Sequence, residues 1–180
     1  MQIRQLRELI SKTLTKQKVL KLIAIDFSIK DLIELTFDAN QQIGFRAAWI
    51  LENLLLTNLN TILDNLDEVL IRFPQVFNPS CQRHYVKILM YLTSPKTNKE
   101  IKAKMQVANL ELIIETCFDW LIDPKVAVVV KVFCCETLFN LRNRYDWIAD
   151  ELAREIGFLM LDGSAAMQSK GKRILKELSK

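Results

Sequence analysis

The stretch DANQQIGFRAAWILENLLL, residues 38–56, decides how the rest of the chain is read. Its polar opening, Asp38 to Gln42, turns the chain, and Ile43 to Leu55 then carries apolar residues at helical spacing. Ala47 and Ala48 are small enough to let a neighbouring helix come close, while Trp49, Leu51 and Leu54 supply volume. Just before the turn, a short apolar stretch from Asp31 ends in Phe37. The same order recurs along the chain: a helical stretch ending in phenylalanine, a polar turn, then a helix with Leu-x-x-Leu. The phenylalanines are Phe37, Phe73, Phe118 and Phe158, and the leucine pairs are Leu51 and Leu54, Leu89 and Leu92, Leu138 and Leu141, Leu175 and Leu178. Recurrence at this spacing marks stacked helix pairs, each burying its apolar side only against its neighbours.

The second pair reads as Thr61 to Phe73 and Pro79 to Leu92. Pro74 ends its first helix, and Asn78-Pro79 starts the next with a capping side chain followed by a proline at the first helical position. A third pair repeats the device with Asp123-Pro124 between residues 110–122 and 125–141, and a fourth runs from Trp147 to Leu161 and from Ser164 to Leu178. Ahead of these, Ile3, Leu6, Leu9 and Ile10 line one helix, and Val19, Leu20, Leu22 and Ile23 a second, as an N-terminal capping pair. Successive first leucines lie 38, 49 and 37 residues apart. The long middle interval places an insertion in the lysine-rich stretch Ser94 to Met105, expected as one extra helical turn on a solvated edge. Val126 to Phe133 is β-branched and by propensity reads as a strand, but the residues after it keep helical spacing, so a helix is expected. The expected organisation is one all-α domain over 1–180, with capping helices in 1–27 and repeat units at 28–57, 58–93, 94–145 and 146–180.

Composition agrees with helices joined tightly. Half of the 180 residues are hydrophobic and 26% charged, with only 4 Gly and 4 Pro, too apolar for disorder and too poor in turns for a β-sandwich. The formal charge of +4, from 25 basic and 21 acidic residues, is modest and does not by itself indicate nucleic acid. Cys81, Cys117, Cys134 and Cys135 form no CxxC pair and sit in apolar stretches, which fits buried thiols in a reducing cytoplasm. The N-terminal MQIRQLRELISKTL has no continuous apolar core of the export-signal kind, and the longest apolar tract, Val126 to Cys135, is broken by Lys131. That tract falls short of the ~20 residues that cross a bilayer.

Helix pairs of about 40 residues with Asp or Asn, and often Pro, in the intra-pair turn resemble HEAT and armadillo repeats. The segment from Asp38 to Leu56 carries the resemblance, because HEAT second helices commonly have an Arg, then small residues, then Leu-x-x-Leu. It extends over about Ser28 to Lys180, although HYVKILMYL (84–92) and GKRILKELS (171–179) lack the alanine pair. The resemblance implies a right-handed α-solenoid, a superhelix of about four to five antiparallel helix pairs. RAAWILEN (46–53) together with FDWLIDPKVAV (118–128) is also similar to a small group of one-domain bacterial HEAT-like proteins, some of them named adenylosuccinate lyase. The fumarate lyase signature Gly-Ser-x-x-Met-x-x-Lys-x-Asn is matched from Gly163 through Ser164, Met167 and Lys170, but its final Asn is Lys172 here. The chain has a single histidine, His84, and is far shorter than that three-domain enzyme, so lyase activity is not expected.

No other constellation points to catalysis. Cys81 and His84 share a helix face, as two metal ligands or a nucleophile and its base would, but no further ligands follow at metal spacing. Acidic residues such as Glu34, Asp67 and Glu136 are dispersed, and no Gly-rich phosphate loop occurs. Trp49, Trp120 and Trp147 sit in apolar helical patterns and are expected in the core. No cofactor or metal is expected. The second helices, which line the concave face of HEAT arrays, carry Arg46, Arg83, Lys87, Lys131, Lys170, Lys172, Arg173 and Lys176. Aligned, these form a basic groove, and the reading is a non-catalytic cytoplasmic scaffold for a protein or peptide partner. The alternative is a nucleic-acid binder resembling HEAT-like alkylpurine DNA glycosylases, although no motif transfers their concave Trp and Asp to this chain.

Overall fold

The computed structural model describes residues 2–12, 15 and 27–180, and contacts divide the chain into two compact units, 1–88 and 89–180. The second capping helix expected near Val19 to Ile23 lies outside the described residues. Among the described residues every regular element is helical.

In the N-terminal unit, α1 (Ile3–Ser11) packs against α2 (Ile29–Leu35) and α3 (Gln41–Thr57), burying Leu6 and Ile10. α2 also packs on α3 and on α4 (Leu59–Arg72). Short polar side chains set the helix starts: Ser28 accepts from the Asp31 amide, Asn40 from Gln42 and Ile43, and Asn58 from Thr61. Each satisfies amides that have no partner in the first helical turn. After α4 the chain tightens into a 3-10 turn, Phe73–Gln75, because Pro74 cannot continue the ladder. α5 (Pro79–Thr93) starts as expected. Asn78 Oδ1 accepts from the Ser80 amide at 3.0 Å while its Nδ2 donates to the Gln41 carbonyl at 3.2 Å, so one side chain both opens α5 and ties it to the start of α3.

The C-terminal unit contains α6 (Lys99–Val107), α7 (Glu111–Ile122), α8 (Val128–Asn140), α9 (Ile148–Leu161) and α10 (Ala165–Leu178). α8 is its centre, packed against α7, α9 and α10. The insertion at Ser94 to Met105 is more than the single turn expected. α6 is a nine-residue helix capped by Asn98, and its apolar side, Ile101 and Met105, is buried. Asp123-Pro124 also departs from expectation: Asp123 accepts from the Lys125 amide in a turn, and α8 begins only at Val128 with no side-chain cap. The β-branched run is helical from Val128 onward: Val128 and Val129 are exposed, while Val130, Cys134, Cys135 and Leu138 form the buried side that packs the helix against its neighbours.

Two glycines show how tightly the helices sit. A Cβ on Gly44 would lie 2.9 Å from the Thr36 carbonyl oxygen and 3.1 Å from Asn78 Nδ2, whereas one on Gly157 would meet nothing within 4 Å. Alanine gains about 1 kcal/mol in helix propensity over glycine, and overpacking costs about 1–3 kcal/mol. Backbone at Thr36 cannot swing aside, so Gly44→Ala is expected to lower the melting temperature. Gly157→Ala is expected to raise it, by about 2–4 °C for a full 1 kcal/mol in a chain of this size. Thermal unfolding of both variants checks the pair.

Candidate interaction surface

In the N-terminal unit the second helices α3 and α5 meet through a buried carboxylate. Glu52 on α3 accepts from Lys87 Nζ at 2.5 Å and lies 2.7 Å from His84 Nδ1, the two α5 residues being three apart and so on one helix face. The carboxylate is 9% exposed, Lys87 38%. Burial alone would raise the Glu52 pKa, but the hydrogen bonds from His84 and Lys87 outweigh it and hold the carboxyl below its ordinary value. His84 Nε2 is buried without a hydrogen-bond partner, and its ring lies 5.4 Å from that of Phe45. Arg46, beside Phe45, turns away to α1: its Nη1 donates to the carbonyls of Ile10, Ser11 and Lys12 at 3.1, 2.6 and 3.1 Å. Arg83 is exposed.

The same device recurs in the C-terminal unit. Glu136 on α8 accepts from Lys170 at 2.7 Å and from Arg173 at 2.5 Å, two α10 residues again three apart. Each unit thus ties one second helix to another by an acid held between two donors. Lys131 is not a groove cation: it is 8% exposed, and its Nζ donates at 2.8 Å to the Leu121 carbonyl at the end of α7. There it complements the negative helix terminus. Lys172 and Lys176 on α10 are exposed.

Beside this acid clamp, the C-terminal unit has an open cleft of ≈ 650 Å³ where the ends of α5, α6 and α8 meet α10. Its wall carries Lys102, Arg142, Arg144 and Arg173, against the single carboxylate of Glu177. Leu92, Met105 and Leu110 provide a buried apolar floor. The Arg142 guanidinium lies 4.1 Å from the Phe139 ring centre and donates to the Phe139 carbonyl, with Arg173 at 5.4 Å from the same ring. Arg144 donates to the Gln106 and Ala108 carbonyls, closing the end of α6. Sequence reading singled out Arg173 but neither Arg142 nor Arg144. The signal was present in Arg142-Asn143-Arg144 directly after α8, where cations meet helix-terminal carbonyls.

Family membership follows from helix pairs in both units and from one comparison: a family model described as a HEAT repeat domain matches residues 4–178. The chain belongs to the HEAT repeat family. No curated protein and no solved structure matched it. As a HEAT repeat protein it accounts for the lyase-like string as packing. Ser164 caps α10 by accepting from the Met167 amide, Met167 is buried, and a Cβ on Gly171 would come within 2.4 Å of Met160 Sδ. Cys81 and His84 do not act as a pair, because Cys81 Sγ donates to the Thr36 carbonyl while His84 faces Glu52. Burial pushes the thiols of Cys81 and Cys135 up to about 12 and that of Cys134 well up, which leaves no thiolate near neutral pH. Among the described residues no cluster of three metal-ligating side chains occurs, and no helix is long and apolar enough to cross a membrane. Trp120 is buried as expected and Trp49 half-buried. Trp147 is a correction: 46% exposed, it stacks on Tyr145 and tilts against Phe118 at the surface.

Proposed function

We propose that this HEAT repeat protein is a non-catalytic cytoplasmic scaffold that holds a protein partner by an acidic segment on its second-helix face. The observation that carries the reading is the basic cleft of the C-terminal unit, four cations against one carboxylate over an apolar floor. Partner binding is the common use of surfaces built by stacked helix pairs. Within the C-terminal unit Lys172 and Lys176 are further exposed cations on α10, and Arg83 is an exposed cation of the N-terminal unit, while Arg46, Lys87, Lys131, Lys170 and Arg173 are engaged in holding helices together. That engagement argues against the nucleic-acid alternative, which needs a run of cations free to neutralise phosphates.

Affinity capture from native lysate is expected to recover a stoichiometric acidic protein at low salt. Lys172→Glu with Lys176→Glu is expected to lose it, since both side chains are exposed on α10 and available to an acidic segment. Capture that survives this double reversal contradicts the electrostatic reading. Retention of duplex DNA by the purified chain at ~50 mM salt, lost in the same variant, replaces it with the nucleic-acid one.

A further inference from the structure

Arg142 differs from the other arginines of the cleft in what it has left to offer. Arg144 spends two of its nitrogens on α6 carbonyls, and Arg173 is bound to Glu136. Arg142 makes one hydrogen bond, from Nη1 to the Phe139 carbonyl, and its guanidinium carbon lies 4.1 Å from the centre of the Phe139 ring. A guanidinium has five N–H donors in a rigid fork, so four remain for a ligand. The hydrogen bond and the ring contact together restrict the side chain, which lowers the entropy lost when an anion docks. The carbonyl ends of α6 and α8, which would otherwise repel an anion, are already covered by Arg144 and Arg142.

From this geometry we infer that the cleft is a recognition pocket for a short peptide segment in which a carboxylate sits beside an apolar side chain. The carboxylate takes the open edge of Arg142, with Lys102 adding charge at the rim, and the apolar neighbour enters over Phe139 onto Leu92 and Met105. The volume, ≈ 650 Å³, falls in the range of about 300–1,000 Å³ typical of ligand pockets. The inference rests on the scaffold reading above and names what the scaffold grips.

The test uses the full chain and three fluorescein-labelled peptides of about eight residues, one of alternating glutamate and leucine, one of glutamate and serine, and one of lysine and leucine. Fluorescence anisotropy is expected to show saturable binding of the glutamate–leucine peptide only, weakening with salt. Arg142→Lys keeps the charge but loses the fork, and is expected to weaken binding about tenfold. Lys102→Glu, on the exposed side of α6, is expected to weaken it without a change in melting temperature, which separates a binding loss from a folding loss. Equal binding of the glutamate–serine peptide, full competition by tripolyphosphate at matched ionic strength, or an unchanged affinity in both variants overturns the pocket. If the peptides fail while Lys172→Glu with Lys176→Glu still abolishes partner capture, the pocket assignment falls and the scaffold stands. If partner capture is also indifferent to that reversal, both fall.

Discussion

Replacing Glu52 with alanine is expected to destabilise the N-terminal unit by about 2–3 kcal/mol, read as a lower urea midpoint at unchanged slope. Removing one member of a buried ion pair costs about 3–5 kcal/mol when its partners stay stranded. Here the loss is smaller, because Lys87 is 38% exposed and can return to water, leaving chiefly the His84 Nδ1 group without its acceptor. Replacing Glu52 and His84 together by leucine is expected to recover much of the loss, since apolar substitutes of similar volume often match a buried polar pair. The pH dependence has a definite sign. Glu52 is held below its ordinary value of 4.5, so between the folded and unfolded pKa values the unfolded chain binds more protons, and stability rises with pH. The contribution is complete above the ordinary carboxylate pKa and is lost as pH falls through the folded one. Asp38, lowered first by its hydrogen bond from Arg7, adds to the same acid limb. Glu52→Ala should therefore flatten that limb in part and leave the Asp38 share. An acid limb unchanged by the substitution means that Glu52 is not held ionised in the folded state.

What the sequence made legible was the part fixed by local spacing. Leu51, Leu54, Leu89, Leu92 and Leu138 are buried, as are Ala47 and Ala48, because helical periodicity assigns each of them a face toward the stack. Periodicity does not supply a neighbour to cover that face. Phe73 is fully buried, Phe37 and Phe118 half-buried, and Phe158 is 67% exposed although it occupies the same place in its repeat. Turn chemistry was legible where the cap adjoins the helix, as at Asn78-Pro79, and not at Asp123-Pro124, where three further residues intervene before α8. The cations were the least legible. Their charge is written in the sequence, but Lys87, Lys131, Lys170 and Arg173 owe their roles to acids and carbonyls on other helices. A trace of that pairing was available: Glu52 precedes His84 and Lys87, and Glu136 precedes Lys170 and Arg173, by about one repeat in each case, with the donors three apart. Basic residues spaced to share one face, one repeat after an acid, are better read as a tie between successive second helices than as a ligand groove.

Arg46 puts that distinction to its sharpest test. Arg46→Ala is expected to cost about 2–3 kcal/mol, nearly all of it in the docking of α1. Hydrogen bonds from a charged donor contribute about 1.5–3 kcal/mol, and the three carbonyls share a single nitrogen, so their contributions do not add. Nine residues are too few to hold a helix in isolation. α1 stays helical because Leu6 and Ile10 are buried, Arg7 is paired with Asp38, and Arg46 closes its last turn. Without the cap, α1 should open as a local unit while the rest of the chain remains folded. Amide hydrogen exchange along Leu6 to Ser11 is then expected to accelerate about 30-fold for a loss of 2 kcal/mol, with a smaller shift in the global unfolding midpoint. Arg46→Lys should recover only part of this, because an ammonium on a shorter stem lacks the reach and fixed fork of a guanidinium. A groove cation behaves in the opposite way: its removal weakens partner capture and leaves exchange in α1 untouched. Unchanged exchange in Arg46→Ala would therefore return Arg46 to the binding surface, whereas accelerated exchange with unaltered capture makes it the residue that fastens α1 to the first helix pair.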